Sequence, residues 1–513
     1  MSSVPPPEKR PFTGGELLLL TIVLALSNLM EVLDISIANV SIPTIAGDLG
    51  VSANQGTWVI TSYTVANAIT VPITGWMAQR FGQVRIFSTA IAVFTVASLL
   101  CGLSRSLETL IFFRVLQGAV AGFMVPLSQA LLINNFPPDK RGMALAVWVM
   151  TIVIAPIIGP ILGGWITDNY HWSWIFLINI PVGIFASFAV WQMLGDRETE
   201  KKTLPVDSVG IGLLVIWVGS LQLMLDKGNE LDWFNHPLII GLAVVAAIAL
   251  VIFLIWELTE EHPVVDLALF RHRNFCMGVI ALALGFGGFF ATTILLPLWL
   301  QTQLNYTPGW AGLVLAPGGV LALLLSPLVG KNINRVDPRR FASVAFILFA
   351  ILSFWRSDFN TSADYITIAT PQLLQGAAVA MFFLPMVSIN LGGIEPSRTA
   401  NATSLQNFLR MMAGSFGAAI IVSAWDRRQA LHRTQLAEQV SLYAQPTIDY
   451  LQKLADAGMS PTQAHAQMER ALSVQAYMLA ANDLFWILGW IFLALVFVVW
   501  TTRPPFGGAA GAH

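Results

Sequence analysis

The chain has 513 residues, of which 56% are hydrophobic and only 11% are charged. An ordinary soluble protein is roughly 25% charged, and a single soluble core stops growing beyond roughly 250–300 residues. So few charges could not cover the apolar surface of so long a chain, which excludes an ordinary soluble enzyme and favours a protein surrounded by lipid. The formal net charge of −2 gives no attraction to nucleic acid.

Fourteen largely apolar windows follow one another along the chain, each close to the roughly 20 residues that a membrane helix needs. The sequence therefore predicts an all-α polytopic membrane protein with fourteen transmembrane helices. The first window is too long for the apolar core of a signal peptide. The windows are 16–43, 54–78, 86–104, 107–134, 141–167, 173–194, 208–225, 237–257, 275–302, 308–330, 340–356, 364–392, 398–424 and 482–501.

The basic residues alternate between the two sides of these windows. Seventeen Lys and Arg fall on the side of the N-terminus, whereas the short loops of the other side hold only Arg105, Lys227 and Arg356. Cytoplasmic loops of membrane proteins carry this excess. The pattern predicts that both termini are cytoplasmic. The long segment 425–481 is largely exempt from the rule, and Arg114 and Arg410 lie within helices.

Two halves of the chain repeat each other. The turn Gly75–Arg85 recurs in spacing as Gly330–Arg340, an offset of 255, and Gln117–Gly118 recurs as Gln375–Gly376. We therefore expect two six-helix bundles, with two extra helices between them. The predicted order is a cytoplasmic N-terminus 1–15, a bundle 16–194, linker helices 195–258, a cytoplasmic linker 259–274, a bundle 275–502 containing a periplasmic segment 425–481, and a cytoplasmic tail 503–513.

Signatures of enzymes and of ATP use are missing. Gly330–Lys331 lacks the further residues of a Walker loop, Cys101 and Cys276 have no metal or redox spacing, and the seven histidines are expected in loops or at helix ends. We expect no enzyme activity, no metal site and no cofactor. Any coupling to an energy source would have to use carboxylates.

The first apolar window carries two acids, Glu31 and Asp34, with Asn39 further along. Positions three apart lie on neighbouring parts of a helix face. A carboxylate at the bilayer centre costs about 2.5–3.5 kcal/mol on insertion scales, and protonation relieves much of that cost. The pattern predicts proton-coupling residues; the alternative is an acid that faces headgroups or pairs structurally with Arg.

Arg114 is the other ionisable residue in the N-terminal bundle. It stays charged, so it could stabilise one protonation state of a nearby acid, and Gly118 and Gly122 allow close helix approach. A structural counter-ion is the alternative. In the second half the equivalent position is Gln372. This difference indicates that the role of Arg114 is specific to the N-terminal bundle.

Two further patterns indicate moving parts. Two prolines and three glycines in the fifth window predict a bent, closely packed helix that acts as a hinge or seal. The alternative is a kinked helix whose role is only to pack. The repeated turn at Gly75–Arg85 favours a gate or latch over simple basic anchoring. The predicted gating residues are Gly75, Arg80, Gly82, Arg85, Pro156, Gly159, Pro160, Gly163 and Gly164.

Two segments on the side opposite the N-terminus have distinctive compositions. Trp172, Trp174 and Asn179 are typical of an aromatic belt followed by a helix break, which we interpret as structural. Segment 425–481 is polar, with helical stretches at Arg427–Gln439 and Pro461–Gln475 and an interruption expected at Pro446. It is either a docking element for an external partner or a solvated loop.

These motifs together resemble the major facilitator superfamily, in its fourteen-helix drug:proton antiporter branch, and especially the EmrB-type exporters of Gram-negative bacteria. The resemblance implies proton coupling through Asp34 and Arg114, a substrate cavity with Asn39, Gln117 and Arg410, and two partners, a periplasmic membrane-fusion adaptor of the EmrA type and an outer-membrane channel of the TolC type. Glu31, predicted from the residues as a further coupling acid, departs from the Gln of that subfamily, which favours either a second proton or a preference for cationic substrates. The motifs that carry it are the Gly75–Arg85 turn, Leu33-Asp34…Asn39…Pro43, Arg114…Gln117-Gly118, Gly159-Pro160…Gly163-Gly164, Gly56–Thr61, Pro137-Pro138…Lys140-Arg141 and Pro504–Gly507.

The sequence thus predicts a proton-driven antiporter of the bacterial inner membrane, without a cofactor beyond the proton motive force. Its expected cargo is hydrophobic drugs, fatty acids or bile-salt-like compounds, moved by rocking two bundles around a midplane cavity. One alternative is a symporter that imports a nutrient on the same fold. The other is a non-transporting membrane scaffold or enzyme.

Overall fold

The computed structural model describes residues 12, 14–199, 201, 205–440, 444–504 and 506, and every regular element in this part of the chain is helical. The helices that we call the N-terminal half are α1 (Gly14–Asp48), α2 (Ala53–Gly56), α3 (Trp58–Thr70), α4 (Thr74–Phe81), α5 (Gln83–Gly102), α6 (Leu107–Ala121), α7 (Met124–Asn135), α8 (Pro138–Asn169), α9 (Trp174–Leu177) and α10 (Asn179–Leu194).

Two inserted helices separate this half from the next: α11 (Ser208–Lys227) and α12 (Pro237–Thr259). The C-terminal half consists of α13 (Arg273–Thr302), α14 (Pro308–Asn332), α15 (Pro338–Arg356), α16 (Tyr365–Asn390), α17 (Thr399–Gln439), α18 (Gln445–Asp456) and α19 (Pro461–Trp500). The predicted cytoplasmic tail and N-terminus lie mostly outside the described residues, as do two of the four residues of the Pro504–Gly507 motif.

The helix count agrees with the predicted windows. Among the described residues, twelve helices are long and apolar enough to cross a membrane, or thirteen when the bent pair Lys140–Pro156 and Ile158–Asn169 is one span. The shorter helices α3 and α4 occupy the predicted second window and are separated by a turn at residues 71–73. With this interrupted pair the total is fourteen, and the chain is a multi-pass membrane protein.

One face of the bundle carries the end of α19 together with the starts of α13 and α15. Arg339 Nη1 donates to the Thr502 carbonyl oxygen at 3.1 Å, and Asn274 Nδ2 donates to the Arg503 carbonyl oxygen at 2.7 Å. Arg197, after α10, lies over the ring of Phe12 just before α1. We call this side the terminal face, and the other side the opposite face.

The two halves touch each other near the terminal face, at two places related by the internal repeat. A Cβ on Gly75 would lie 2.7 Å from Cα of Asn401 at the start of α17, and one on Gly142 would lie 2.4 Å from the carbonyl oxygen of Gly330 at the end of α14. No side chain larger than hydrogen fits there without moving a helix. Gly75 and Gly330 are equivalent positions, so both contacts use the same feature of the repeat.

Polar contacts reinforce this closure. Ser404 Oγ donates to the Val71 carbonyl oxygen at 2.5 Å. The Gln129 side-chain oxygen accepts from Gln406 at 2.9 Å and from Asn407 at 2.8 Å. Because helices of both halves meet through backbone and buried amides, the protein is closed at the terminal face in this structure.

The fifth predicted window forms the long helix α8, which bends by 45° near Pro156. The predicted bend is confirmed, and its cause is proline, which removes backbone hydrogen bonds. Added Cβ atoms would lie 2.3 Å from Ser36 Cβ at Gly159 and 3.0 Å from the Ile37 carbonyl oxygen at Gly163, whereas Gly164 has nothing within 4 Å. Two of the three glycines therefore allow α8 to pack on α1, and the expectation of close packing at Gly164 is wrong.

The segment 425–481 is largely helical rather than a loop. The stretch Arg427–Gln439 continues α17, Pro461–Gln475 begins α19, and the helix α18 lies between them, with Pro446 in its first turn. Arg433 pairs with Glu469, so the two extensions contact each other. The expected helical pair is thus present, as an extension of two membrane helices. His432 and His465 lie within these extensions, which corrects the expectation that every histidine falls in a loop or at a helix end.

Arg356 also differs from the prediction. The charge pattern assigns it to a short outer loop, but it is the last residue of α15 and only 1% exposed. Its guanidinium stays inside because two glutamine side chains of α16 accept its hydrogen bonds. The short loops of the opposite face are therefore even poorer in exposed basic residues than the sequence indicates.

Candidate functional site

A buried ion pair lies inside the N-terminal half. Nη1 of Arg114 on α6 is 2.5 Å from Oδ2 of Asp34 on α1, and the two side chains are 0% and 1% exposed. Close helix packing positions Arg114, because Gly118 on the same helix α6 lets the backbone of α3 at Tyr63 approach α6. Breaking a buried pair by removing one partner costs about 3–5 kcal/mol. The pair is therefore strongly held while both charges are present.

Amide side chains complete the surroundings of Asp34. Oδ1 accepts from Nδ2 of Asn179 on α10 at 2.8 Å and from Nε2 of Gln117 at 3.2 Å. Both amide nitrogens also donate to Ser98 Oγ, at 3.0 and 3.2 Å. Two helices besides α1, α6 and α10, thus contribute donors to a single carboxylate. An ionised carboxylate is an acceptor only, so a proton on Asp34 would alter contacts to α6 and α10 at once.

Arg114 has contacts beyond the carboxylate. Its Nε donates to the Val59 carbonyl oxygen at 3.0 Å, Nη1 also donates to Gln117 Oε1 at 2.8 Å, and the guanidinium lies 4.1 Å from the Tyr63 ring centroid. Nη2 is buried without a partner in the described part of the chain. The cation is thus held by α3 and α6 even if Asp34 is neutralised.

Glu31 lies one turn before Asp34 but contacts different groups. Its Oε1 accepts from Nδ2 of Asn67 on α3 at 3.0 Å, whereas Oε2 has no partner among the described residues. The side chain lines the larger cavity between the halves, where Arg410 of α17 is also found. The two acids therefore face different surroundings, although they lie three positions apart: Asp34 faces the interior of its own half and Glu31 faces the cavity.

Two neighbouring cavities lie between the halves. The larger one has a volume of about 480 Å³ and reaches Gln222, Asp226 and Asn229, at the end of α11 that is far from the terminal face. The smaller one, of about 210 Å³, is lined mainly by apolar groups. Val32, Val125, Phe286, Phe290 and Arg410 line both. A mainly apolar pocket with a few polar groups is the usual form of a small-molecule site.

The predicted cavity residues divide into two groups. Arg410 lines both cavities, and its guanidinium lies 4.9 Å from the Phe286 ring centroid. Gln117 does not line either one, because its amide is fully buried between Asp34, Arg114 and Ser98. Asn39 is exposed and is likewise absent from both linings. Gln117 thus belongs to the buried cluster around Asp34 rather than to the cavity, and Asn39 lies outside the linings of these two cavities.

The predicted gating turn has two parts with different contacts. Gly75 packs on the other half, as described above. Gly82 has a φ of 99°, which favours glycine, and the backbone N–H groups of Val84 and Arg85 donate to the Glu198 carboxylate at 3.0 and 2.9 Å. Glu198 therefore holds the start of α5 within the N-terminal half. Arg80 lies 5.4 Å from the Trp76 ring centroid of its own helix.

Several site residues were missed by the sequence reasoning. Asn179, interpreted as structural, donates directly to Asp34, and Asn67 donates to Glu31. Asp226 on the inserted helix α11 accepts from Thr61 and lines the larger cavity. Asn67 and Asn179 are polar residues within apolar windows and Asp226 directly follows one, so each was visible as a polar residue although its partner was not.

Comparisons with known proteins agree with this architecture. The Major Facilitator Superfamily model matches residues 24–418. The chain is 50% identical over 498 residues to the multidrug export protein EmrB of Haemophilus influenzae, covering 97% of this chain and 98% of that protein. It is 46% identical over 503 residues to the fatty acid resistance protein FarB of Neisseria gonorrhoeae, covering 98% and 99%.

A solved structure is similar in fold. The proton:xylose symporter XylE is 14% identical, with a TM-score of 0.59 over 95% of this chain and 96% of that chain. At this identity the likeness concerns the fold alone. The family match and the near full-length identity to export proteins show a transporter rather than an enzyme or a scaffold. The chain belongs to the major facilitator superfamily, within its group of EmrB-type multidrug export proteins.

Proposed function

We propose that this protein is a proton-coupled antiporter that exports hydrophobic or amphipathic drugs, or fatty-acid- and bile-salt-like compounds, across the bacterial inner membrane. The observation that carries the proposal is the buried Asp34–Arg114 pair, because it supplies an acid that can exchange a proton and a cation that responds to its charge. The full-length relatives are named for multidrug export and for fatty acid resistance, which supports the direction and the cargo.

Coupling follows from the contacts of Asp34. A proton on this carboxylate removes the negative charge that pairs with Arg114, so the free energy of the packing of α1 against α6 and α10 changes. Helix α1 also carries Ser36 and Ile37, which contact Gly159 and Gly163 of the bent helix α8. Because α8 in turn meets α14 at Gly142 and Gly330, a rearrangement of α1 reaches the closure between the halves.

The terminal face is cytoplasmic in this proposal. Basic residues concentrate there, as the positive-inside rule requires of cytoplasmic loops. The closed face then points into the cell, and the larger cavity, which reaches the far end of α11, points outward. In this proposal, the state that is closed at the terminal face is the one that releases cargo outside and accepts a proton on Glu31 or Asp34.

The helical extensions of α17 and α19, with α18, are the proposed contact for a periplasmic adaptor of the membrane-fusion type. An outer-membrane channel of the TolC type would continue the path in a tripartite pump. Support comes from the length of this segment, since the other connections on the opposite face are short. The exposed apolar side chains of Ile448 and Tyr450 on α18 offer a surface for such a partner.

Resistance measured in cells tests the coupling role. Asp34→Asn keeps the shape but cannot exchange a proton, so cells that express it should be as drug-sensitive as cells without the transporter. The variant leaves Arg114 as an unpaired buried cation, so its amount in the membrane must be measured, and the charge-neutral pair Asp34→Asn/Arg114→Gln serves as a second test. Full resistance conferred by either variant at normal abundance refutes the proposed role of Asp34.

A further inference from the structure

Arg356 is a buried cation without a carboxylate. It is 1% exposed, and its Nε has no hydrogen-bond partner in the described residues. The four helices α13–α16 contain no Asp or Glu at all, and none of the ion pairs found in the described part of the chain includes Arg356. Burying a charge without a counter-charge costs free energy. The burial of the Arg356 guanidinium therefore indicates a role that offsets this cost.

The guanidinium fixes the orientation of two glutamines. Its Nη2 donates to Oε1 of Gln375 at 2.5 Å and also to Oε1 of Gln372, both on α16. A guanidinium has only donors, so the oxygen of each amide must face it. Both NH₂ groups are consequently turned away from Arg356, and no described residue accepts a hydrogen bond from either of them.

Gln372 and Gln375 line the smaller cavity between the halves, although each side chain is more than nine-tenths buried. The amide donors held by Arg356 are therefore available to a molecule in that cavity. Around them lie four aromatic rings, and Arg410 lines the same space. The rings are Phe286, Phe289, Phe290 and Phe383. The site combines oriented N–H donors, positive charge and a large apolar surface.

The N-terminal half contains a comparable buried cluster, and that cluster includes a carboxylate. At the offset of 255 that relates the third helices of the two repeats, Arg356 corresponds to Cys101, whose Sγ lies 3.6 Å from Gln117 Oε1. Gln117 in turn corresponds to Gln375. Both halves therefore hold a glutamine and an arginine in a buried cluster, but only the N-terminal cluster contains its own carboxylate, Asp34.

We propose that Gln372 and Gln375, oriented by Arg356, bind the anionic head group of an amphipathic substrate, with a carboxylate as the simplest case and the tail among the phenylalanine rings. The assignment rests on the proposed function, because the ligand is taken to be exported cargo. The adjoining cavity of about 480 Å³ shares Phe286 and Phe290 and has room for a longer tail. Charge-assisted hydrogen bonds to the head group supply the selectivity.

The test compares decanoate with decanol, which share a tail, on the purified full-length transporter in nanodiscs of phosphatidylcholine. Wild type should bind decanoate at least about tenfold more tightly, because hydrogen bonds to a charged group are the stronger ones. Gln375→Glu keeps the side-chain shape and gives Arg356 an internal counter-ion. This variant should lose the preference for decanoate while retaining decanol binding, and Gln372→Glu should do the same.

A matched control is Gln301→Glu, which adds the same charge at an exposed position of α13 in the same half. It should keep the preference for decanoate. Equal binding of the two probes by wild type, or an equal loss of both probes in Gln375→Glu, overturns the anion site. So does displacement of decanoate when phosphatidylglycerol is added to the disc, because the site would then hold a lipid head group. Export separates the two proposals. If Gln375→Glu still exports decanol, the pump works without the anion site. If wild type exports neither decanol nor decanoate, the proposed export function is contradicted instead.

Discussion

Replacing Gly142 by alanine should shift the protein away from the state that is closed at the terminal face. The added Cβ would lie 2.4 Å from the Gly330 carbonyl oxygen and 2.5 Å from Ile333 Cγ2, where ordinary contact begins at 3.4 Å. Helices α8 and α14 must therefore separate by about 1 Å, the difference between 3.4 and 2.4. Overpacking of this kind costs about 1–3 kcal/mol.

That cost applies only to the state in which the two helices touch. Alanine also has the better helix propensity, but this gain is the same in both states because α8 stays helical. The ratio of closed to open molecules should therefore fall by a factor of about 5–150, since about 1.4 kcal/mol corresponds to tenfold. Gly330→Ala should act in the same direction, because its Cβ would lie 2.6 Å from the Gly142 carbonyl oxygen.

Spin labels at positions 140 and 331, which are exposed on the two sides of this contact, report the ratio as two distances in a double electron–electron resonance experiment. Gly142→Ala should enlarge the population with the longer distance. Gly164→Ala is the matched control on the same helix, with nothing within 4 Å of its Cβ, and it should leave the distances unchanged. Identical distance distributions in wild type and Gly142→Ala would refute the close contact as the basis of closure.

Three further outcomes are expected. In a cysteine-free background, an impermeant thiol reagent added from outside should label Tyr450→Cys and leave Arg80→Cys unlabelled; the opposite pattern contradicts the orientation. Joining the helix ends at 439 and 461 with a short Gly/Ser linker, which removes α18, should abolish resistance in cells but keep drug binding by the purified protein; retained resistance would exclude a docking role for α18. Glu31→Gln, which keeps the hydrogen bond from Asn67, should weaken export driven by a pH gradient and spare binding of a neutral drug; an unchanged proton-to-drug ratio would remove Glu31 from coupling.

Periodicity and charge were enough to predict the membrane helices and the repeat, and to single out Asp34 as a candidate site residue. A carboxylate in an apolar window is expensive wherever it lies, so its presence is informative without any knowledge of its neighbours. The bend of α8 could also be predicted from the sequence, because a proline disrupts the hydrogen bonds of the helix that contains it. These predictions depend on local properties of the chain.

The partners across helices could not be predicted in the same way. Asn179 lies 145 positions from Asp34, and nothing in its own window distinguishes it from an amide at a helix break. Gln117 was assigned to the cavity although it faces Arg114, since sequence spacing gives the angle between side chains but not which neighbour each one meets. The charge pattern places Arg356 in a loop, because a position at the end of a window gives no indication of the two glutamines that hold the side chain inside.

The central claim is that drug export is driven by protons moving the opposite way, through Asp34. The most direct measurement uses proteoliposomes with the purified protein, an acidic lumen and a lumenal pH indicator, to which a drug that the expressing cells resist is added outside. Antiport predicts that drug entry speeds the loss of protons from the lumen, and that Asp34→Asn shows no such effect. Drug entry that makes the lumen more acidic, as in a symporter, or a response that persists in Asp34→Asn, would contradict the account.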